Sequence, residues 1–198
     1  TTVLVERLGH MVINKNIQPQ SILAITYNTA AAEEMESRFS SQFGAKHGKN
    51  IDFRTINSLA LKVYRDYCRK INRPMRELIQ DDDRRRLLSE IFKQHNGEYA
   101  AENDILELSS AITYIKNMML TDEQISEIES VYPHLSAMYQ SYQNALKEKY
   151  QMDFDDQMVF ALWILQKDEE ITSALRMRYK YICVDEAQDT SKIQHEII

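Results

Sequence analysis

A short apolar run that ends in acidic residues lies close to the C-terminus and constrains the fold most. Residues 181–184 read YICV, and Asp185 and Glu186 follow directly. A continuous apolar run of this length is typical of a strand that is buried in a parallel sheet. Open α/β sheets bind their ligands at the carboxyl ends of such strands. The run therefore predicts an α/β fold with two carboxylates at the ligand-binding edge of its sheet.

Two acids at a strand end have both a chemical and a structural interpretation. Chemically, Asp185 could hold the Mg²⁺ of a bound nucleotide while Glu186 orients and deprotonates the attacking water. Structurally, the same residues could be a solvated acid pair that follows an ordinary strand. The pattern of an apolar run and two acids does not separate these two interpretations.

The rest of the sequence alternates between helix and strand near its two ends and is helical in the middle. Apolar residues recur every three or four positions from residue 72 to residue 150, so we expect no strand there. The capping preferences of Thr29 or Asn28, as alternatives, and of Thr55 mark the starts of two helices. The predicted elements outside the middle are helix 1–15, strand 21–27, a helix to Gly44, polar loop 46–50, strand 51–54, a helix from Thr55, helices 154–166 and 169–178, and strand 181–184.

This pattern divides the chain into three parts. Residues 1–72 and 151–198 form the first and second parts of one α/β domain, and residues 73–150 form a helical insertion between them. Within the insertion we interpret the arginine triplet 84–86 as a solvated helix face. Trp163 lies on the apolar side of its predicted helix and is interpreted as a packing residue.

Charge and composition exclude several classes of protein. The formal net charge of −6 argues against a surface that grips nucleic acid throughout, although it permits contacts in a groove. No apolar run approaches the roughly 18–20 residues that span a bilayer, and the N-terminus lacks the layout of a signal peptide. We therefore expect a cytoplasmic protein, in which Cys68 and Cys183 stay reduced.

The acidic segment resembles a known motif. Residues 185–190 read DEAQDT, with Gln194 shortly after, and are similar to motif II (VDExQDT) of the UvrD/Rep-type superfamily 1 DNA helicases. The resemblance implies an incomplete RecA-like P-loop NTPase sheet with an inserted all-helical subdomain, and ATP and Mg²⁺ as cofactors. It also implies that Asp185 binds Mg²⁺, that Glu186 is the general base, and that Gln188 couples the nucleotide to the rest of the motor.

Two further segments resemble DNA-contacting motifs of the same family. Residues 22–35 read ILAITYNTAAAEEM and resemble motif Ia, ILAVTFTNKAAxEM. This likeness implies that Tyr27 stacks on single-stranded DNA and that Asn28 and Thr29 contact its phosphates. Ala30 stands where the family usually has Lys, which removes one positive charge from that contact.

The segment FRTINSL, at residues 53–59, resembles motif Ib (GTFHSL) and implies that Thr55 and Asn57 meet the DNA backbone, with Asn57 in place of the family's His. The segment YQMDFDD, at residues 150–156, looks like the family's LDFDDLL stretch, in which we assign Asp153 a capping role. Neither Asp155 nor Asp156 is given a catalytic role.

The phosphate-binding loop of these helicases has no counterpart in the sequence, since none of the four glycines lies in a GxxxxGK[ST] pattern. Residues 1–7, TTVLVER, resemble the residues that follow GSGK in the family. This likeness implies that Thr1 supplies the hydroxyl that binds Mg²⁺ beside the nucleotide. We therefore expect an internal fragment, inactive by itself, that lacks the P-loop and the second motor domain.

The resemblance implies that the intact protein is an ATP-dependent DNA helicase. Such an enzyme moves 3′ to 5′ on single-stranded DNA, and its partners are single-stranded DNA and junctions of single and double strands, in repair or recombination. The sequence leaves two alternatives open. The chain could belong to a non-catalytic binding or scaffold module derived from such a helicase, or to the helicase subunit of a helicase-nuclease complex.

Overall fold

The computed structural model describes residues 2–198 and contains both helices and short parallel strands. The helices are α1 (Thr2–Gly9), α2 (Thr29–Phe43), α3 (Ala45–Gly48), α4 (Ile56–Lys70), α5 (Asp81–Asn96), α6 (Glu102–Met118), α7 (Asp122–Ile128), α8 (Leu135–Glu148), α9 (Phe154–Lys167), α10 (Glu169–Arg178) and α11 (Lys192–Ile197). The strands are β1 (Ile22–Thr26), β2 (Asp52–Thr55), β3 (Glu77–Leu78), β4 (Gln151–Met152) and β5 (Tyr181–Val184). A π-helix (His10–Asn14) extends α1, and 3₁₀ turns lie at Pro19–Ser21 and Ala187–Asp189.

A three-stranded parallel sheet with the order β2-β1-β5 forms the α/β part, which confirms the predicted fold class. The central strand β1 is buried along its whole length. Side chains of a strand alternate between the two faces of its sheet. Accordingly, Ile22 and Ala24 pack in one apolar core with residues of α1 and α2, whereas Leu23 and Ile25 pack in another with residues of α4 and α9. Helices therefore cover both faces.

A separate apolar core lies in the helical middle of the chain. Its buried members come from residues 79–146, and its largest fully buried side chains include Leu108, Met138 and Tyr142 of α6 and α8. The division of the chain at residues 72 and 150 stays a prediction, and this separate core supports it.

The expectation that residues 72–150 contain no strand is wrong at one place. Strand β3 lies inside this interval and pairs in parallel with β4, so that Glu77 lies opposite Gln151. Strand β3 lies where the chain leaves the α/β part, and β4 lies where it returns. Their pairing provides hydrogen-bond partners for backbone N–H and C=O groups at this point. A strand of two residues is too short to show an alternating pattern in the sequence.

Three smaller expectations hold only in part. Part of the predicted loop 46–50 belongs to the short helix α3. Arg85 and Arg86 are exposed as predicted, but Arg84 is partly buried, and its guanidinium donates to the hydroxyls of Tyr142 (3.0 Å) and Ser109 (2.5 Å). Trp163 packs edge to face against Tyr67 with ring centroids 5.8 Å apart, although 49% of it is exposed.

Cys68 and Cys183 are both buried, and their thiols are free. Between residues 2 and 198, every helix is too short or too polar to cross a lipid bilayer.

Candidate active site

The carboxyl ends of the three parallel strands meet at one edge of the sheet. In the register of β1, Ile25 lies opposite Val184 and Thr26 lies opposite Thr55. The backbone N–H of Asp185 continues this ladder, since it donates to the carbonyl oxygen of Ile25 at 2.8 Å. The residues that directly follow each strand are therefore neighbours.

A small cleft of about 20 Å³ opens at this edge and contains many of the predicted site residues. Its walls come from the ends of β1 and β5, from the start of α4, and from the segment that leads into α11. The lining residues are Ile25, Thr26, Tyr27, Ile56, Asn57, Val184, Asp185, Glu186, Thr190 and Gln194. Residues distant in sequence, from the motif Ia, Ib and II likenesses, thus line one cleft.

Glu186 has a left-handed backbone conformation, with φ 50° and ψ 42°. This conformation costs a residue with a Cβ atom roughly 1–2 kcal/mol, and such outliers concentrate at functional sites. It ends β5 abruptly and starts the 3₁₀ turn Ala187–Asp189. The amide of Gln188 donates to the Glu186 carboxylate at 2.6 Å, so the predicted base and the predicted coupling residue are in direct contact.

Hydrogen bonds hold the end of the acidic segment. The hydroxyl of Thr190 donates to the carbonyl oxygen of Ala187 at 2.7 Å, and its oxygen also lies 2.7 Å from Nε2 of His195. The backbone N–H of Ser191 donates to Oε1 of Gln194 at 3.0 Å. These contacts fix Thr190 and Gln194, which both line the cleft. No sequence motif indicates a role for His195 or Ser191.

The predicted DNA-contacting residues after β1 lie on the surface. Tyr27 is 75% exposed, which leaves its ring open to a stacking partner. The side-chain oxygen of Asn28 accepts a hydrogen bond from the N–H of Ala31 at 2.8 Å and thereby caps α2, as predicted for one of the two candidates. Thr29 is exposed in the first turn of α2.

The residues after β2 form a second part of the same surface. Thr55 caps α4, since its hydroxyl oxygen accepts from the N–H of Ser58 at 3.1 Å, which confirms the predicted helix start. Asn57 is exposed in the first turn of α4 and also lines the cleft. Tyr27 and Asn57 therefore line the same cleft as the acids.

The donor set of the cleft fits Mg²⁺ better than a softer metal. Magnesium favours oxygen ligands and is usually held in nucleotide sites by one or two carboxylates together with phosphate oxygens. The cleft supplies carboxylate, amide and hydroxyl oxygens. Among residues 2–198, no group of three or more His, Cys, Asp or Glu side chains is arranged to hold a metal ion. The predicted ligand Thr1 lies outside the described residues.

A second group of acids lies in the interior, and the sequence analysis did not identify its lysine. The ammonium group of Lys116, on α6, lies 2.7 Å from Asp153 and 2.7 Å from Asp156, and its side chain is only 1% exposed. Asp153 also caps α9, because it accepts from the N–H of Asp156 at 2.8 Å, as the sequence predicts. The hydroxyl of Tyr142 donates to Asp153 at 2.9 Å.

The comparisons with known proteins agree on one family. The sequence profile of the UvrD/REP helicase N-terminal domain matches residues 1–198. A probable DNA helicase II homolog of Mycoplasma capricolum is 30% identical over 206 residues, which cover all of the chain and 28% of that protein. The ATP-dependent DNA helicase Rep of Escherichia coli is 28% identical, and PcrA of Bacillus subtilis is 27% identical. The chain covers 30% and 27% of these two relatives, respectively.

Proposed function

Because the chain belongs to the UvrD/REP helicase N-terminal domain family, we propose that it forms part of the motor of an ATP-dependent DNA helicase. The motor would use ATP hydrolysis to move 3′ to 5′ along single-stranded DNA. One observation carries the proposal. The acids after β5 and the polar and aromatic residues after β1 and β2 line the same cleft, where nucleotide and DNA could act on each other.

In this proposal the acids after β5 act on the nucleotide. Bound Mg²⁺ would neutralise charge on the transferred phosphoryl group. The Asp185 carboxylate would hold that ion, and Thr1, outside the described residues, would supply a hydroxyl ligand. Glu186 orients the attacking water and takes its proton. Gln188, which donates to Glu186 at 2.6 Å, couples the nucleotide to the rest of the motor.

The residues after β1 and β2 act on DNA. The exposed ring of Tyr27 stacks on a base, which is a sequence-tolerant contact. The oxygen of Asn28 already caps α2, so its amide N–H groups are the donors for a phosphate. Thr29, Thr55 and Asn57 add polar contacts to the backbone. With Ala30 in place of a lysine, we expect a weaker salt dependence of DNA binding.

The proposal extends to the setting of the protein. Single-stranded DNA and junctions of single and double strands are its partners, and the cytoplasm is its location. The helical unit, residues 73–150, is proposed as a subdomain with its own core, because its buried apolar residues pack mainly against each other.

The test is strand separation by the natural protein at its full length. We expect it to unwind a partial duplex that carries a 3′ single-stranded tail, only with ATP and Mg²⁺, and not one with a 5′ tail. Tyr27→Ala should weaken single-strand binding by about 1–3 kcal/mol. The control Tyr114→Ala removes a tyrosine of α6 that is 52% exposed and should have no effect. An absence of ATP-driven unwinding would contradict the proposal.

A further inference from the structure

The C-terminal end of α6 contacts both the start of α9 and the start of α11. Two consecutive residues make these contacts. Lys116 points into the interior and pairs with the carboxylates of Asp153 and Asp156. Asn117 lies nearer the surface, and its side chain bonds to α9, to the start of α11 and, at 3.0 Å, to the carbonyl oxygen of Thr113 in its own helix. Helix α6 ends immediately afterwards, where Met119 has a left-handed conformation with φ 54°.

Asn117 bridges two segments of the α/β part. Its amide nitrogen donates to Asp155 at 2.8 Å, and its amide oxygen accepts from the hydroxyl of Ser191 at 3.0 Å. Thr113, one turn earlier on α6, donates to the other oxygen of Asp155 at 2.8 Å. Both oxygens of Asp155 are therefore used to fix the end of α6, and the side chain of Asn117 can orient itself in only one way.

Ser191 connects this bridge to the acidic segment. It directly follows Thr190, and its backbone N–H donates to Oε1 of Gln194 at 3.0 Å. Thr190 and Gln194 both line the cleft that contains Asp185 and Glu186. A displacement of Ser191 would therefore move one wall of the cleft.

The ion pairs of Lys116 make the end of α6 a rigid support. Its ammonium group lies between two buried carboxylates, and removing a buried charge from its partners carries a large penalty. The end of α6 thus cannot shift against α9 without breaking these contacts. Asn117 is the next residue and bonds to Ser191, so a shift of the helical unit would also displace Ser191.

From these contacts we propose that Asn117 is a positioning residue, through which the helical unit sets the orientation of the acidic segment 185–190. The proposal rests on the proposed function, because it assigns Asn117 to the reaction that Glu186 would perform. Asn117 does not touch the nucleotide in this account. It acts through Ser191 and Gln194, and a movement of the helical unit on DNA would reach the acids along this path.

The experiment compares two asparagine variants of the natural full-length protein. Asn117→Ala removes both bonds of the bridge, while the matched control Asn144→Ala removes an exposed contact on α8. We expect Asn117→Ala to lower the kcat for ATP roughly three- to thirtyfold, with KM changed by less than about threefold. Amide hydrogen exchange of residues 187–194 should become about tenfold faster in this variant alone. The double variant Asn117→Ala with Ser191→Ala should lose no more of its kcat than Asn117→Ala alone.

The outcomes separate the two proposals. If the unmodified protein shows no ATPase activity, the proposed function fails, and the exchange rates of residues 187–194 still decide whether Asn117 holds the segment. Unchanged kcat and unchanged exchange in Asn117→Ala would overturn the positioning role. Faster exchange throughout α6 and α9, with a matching fall in thermal stability, would also overturn it, because the residue would then be merely structural.

Discussion

Two segments of this chain share a sequence pattern and differ in what the fold does with it. In each segment a short parallel strand is followed by acids: β5 in residues 181–186 and β4 in residues 151–156. After β5 the acids line an open cleft at the sheet edge. After β4, Asp153 and Asp156 are buried against Lys116. The first arrangement places carboxylates at the edge of the sheet, and the second joins helices through carboxylates.

The buried cation Lys116 distinguishes the second acid group from the first. Burial alone would raise the pKa of Asp153, but the Lys116 ammonium and the hydrogen bonds from Asp156 N–H and Tyr142 hold that pKa below its ordinary value. Burial raises the pKa of Asp156, and the nearby charge of Asp153 adds to this effect against the attraction of Lys116. The pKa values of both carboxyls are thus set by burial and by fixed internal partners.

The largest expected effect comes from removing that partner. Lys116→Met leaves two buried carboxylates facing each other without a cation, so we expect the free energy of unfolding to fall by about 3–5 kcal/mol. Urea denaturation followed by circular dichroism measures this change. Lys147→Met, on the exposed side of α8, is the control and should change stability by less than about 0.5 kcal/mol. Equal stability of the two variants would remove the distinction between the two acid groups.

A smaller loss is expected at the hydroxyl that serves this buried cluster. Tyr142→Phe deprives Asp153 of a donor and Arg84 of an acceptor, at 2.9 and 3.0 Å. A part-buried group that loses its hydrogen-bond partner costs about 1–3 kcal/mol. Tyr114→Phe, at an exposed tyrosine of α6, is the matched control. A Tyr142→Phe protein as stable as the control would show that the hydroxyl is dispensable.

Alkaline pH should weaken the buried cluster further. Burial, followed by the charge of Asp153, raises the pKa of Tyr142 well above its ordinary value. In the unfolded chain the same hydroxyl ionises near pH 10. Its contribution is therefore fully present below about pH 10 and is lost as pH rises from there. Above pH 10 the free energy of unfolding should fall less steeply with pH in Tyr142→Phe than in the unmodified protein. Equal dependence of the free energy of unfolding on pH in the two proteins would contradict this.

The smallest expected effect is at the open cleft. Glu186→Gly removes the left-handed strain at φ 50° but makes the unfolded chain more flexible, so stability should rise by at most about 1 kcal/mol. Chemical denaturation of this variant beside Lys116→Met compares the two regions directly. A loss above about 1 kcal/mol would show that Glu186 supports the fold, as the buried acids do.

Much of the fold follows from local patterns in the sequence. The sequence predicts the caps at Thr55 and Asp153, Asn28 as one of two candidate caps, and the strand at residues 181–184, because each depends on neighbouring residues alone. The sequence does not predict the burial of Lys116. The sequence pattern of a lysine beside an apolar stripe is the same whether the lysine contacts solvent or a carboxylate that is distant in sequence. The backbone of Glu186 was also missed, because the left-handed conformation depends on the surrounding contacts.

The most direct test of the account is ATP turnover by the Glu186→Gln variant of the natural full-length protein. Glutamine keeps the size and hydrogen bonding of the side chain but cannot accept the proton of the attacking water. Turnover should fall by roughly 10²-fold or more, while the affinity for Mg²⁺ and a non-hydrolysable ATP analogue stays within about threefold. Asp156→Asn should not reproduce this separation of binding from turnover. Turnover at the unmodified rate in Glu186→Gln would contradict the assignment of the acids after β5 to the chemistry.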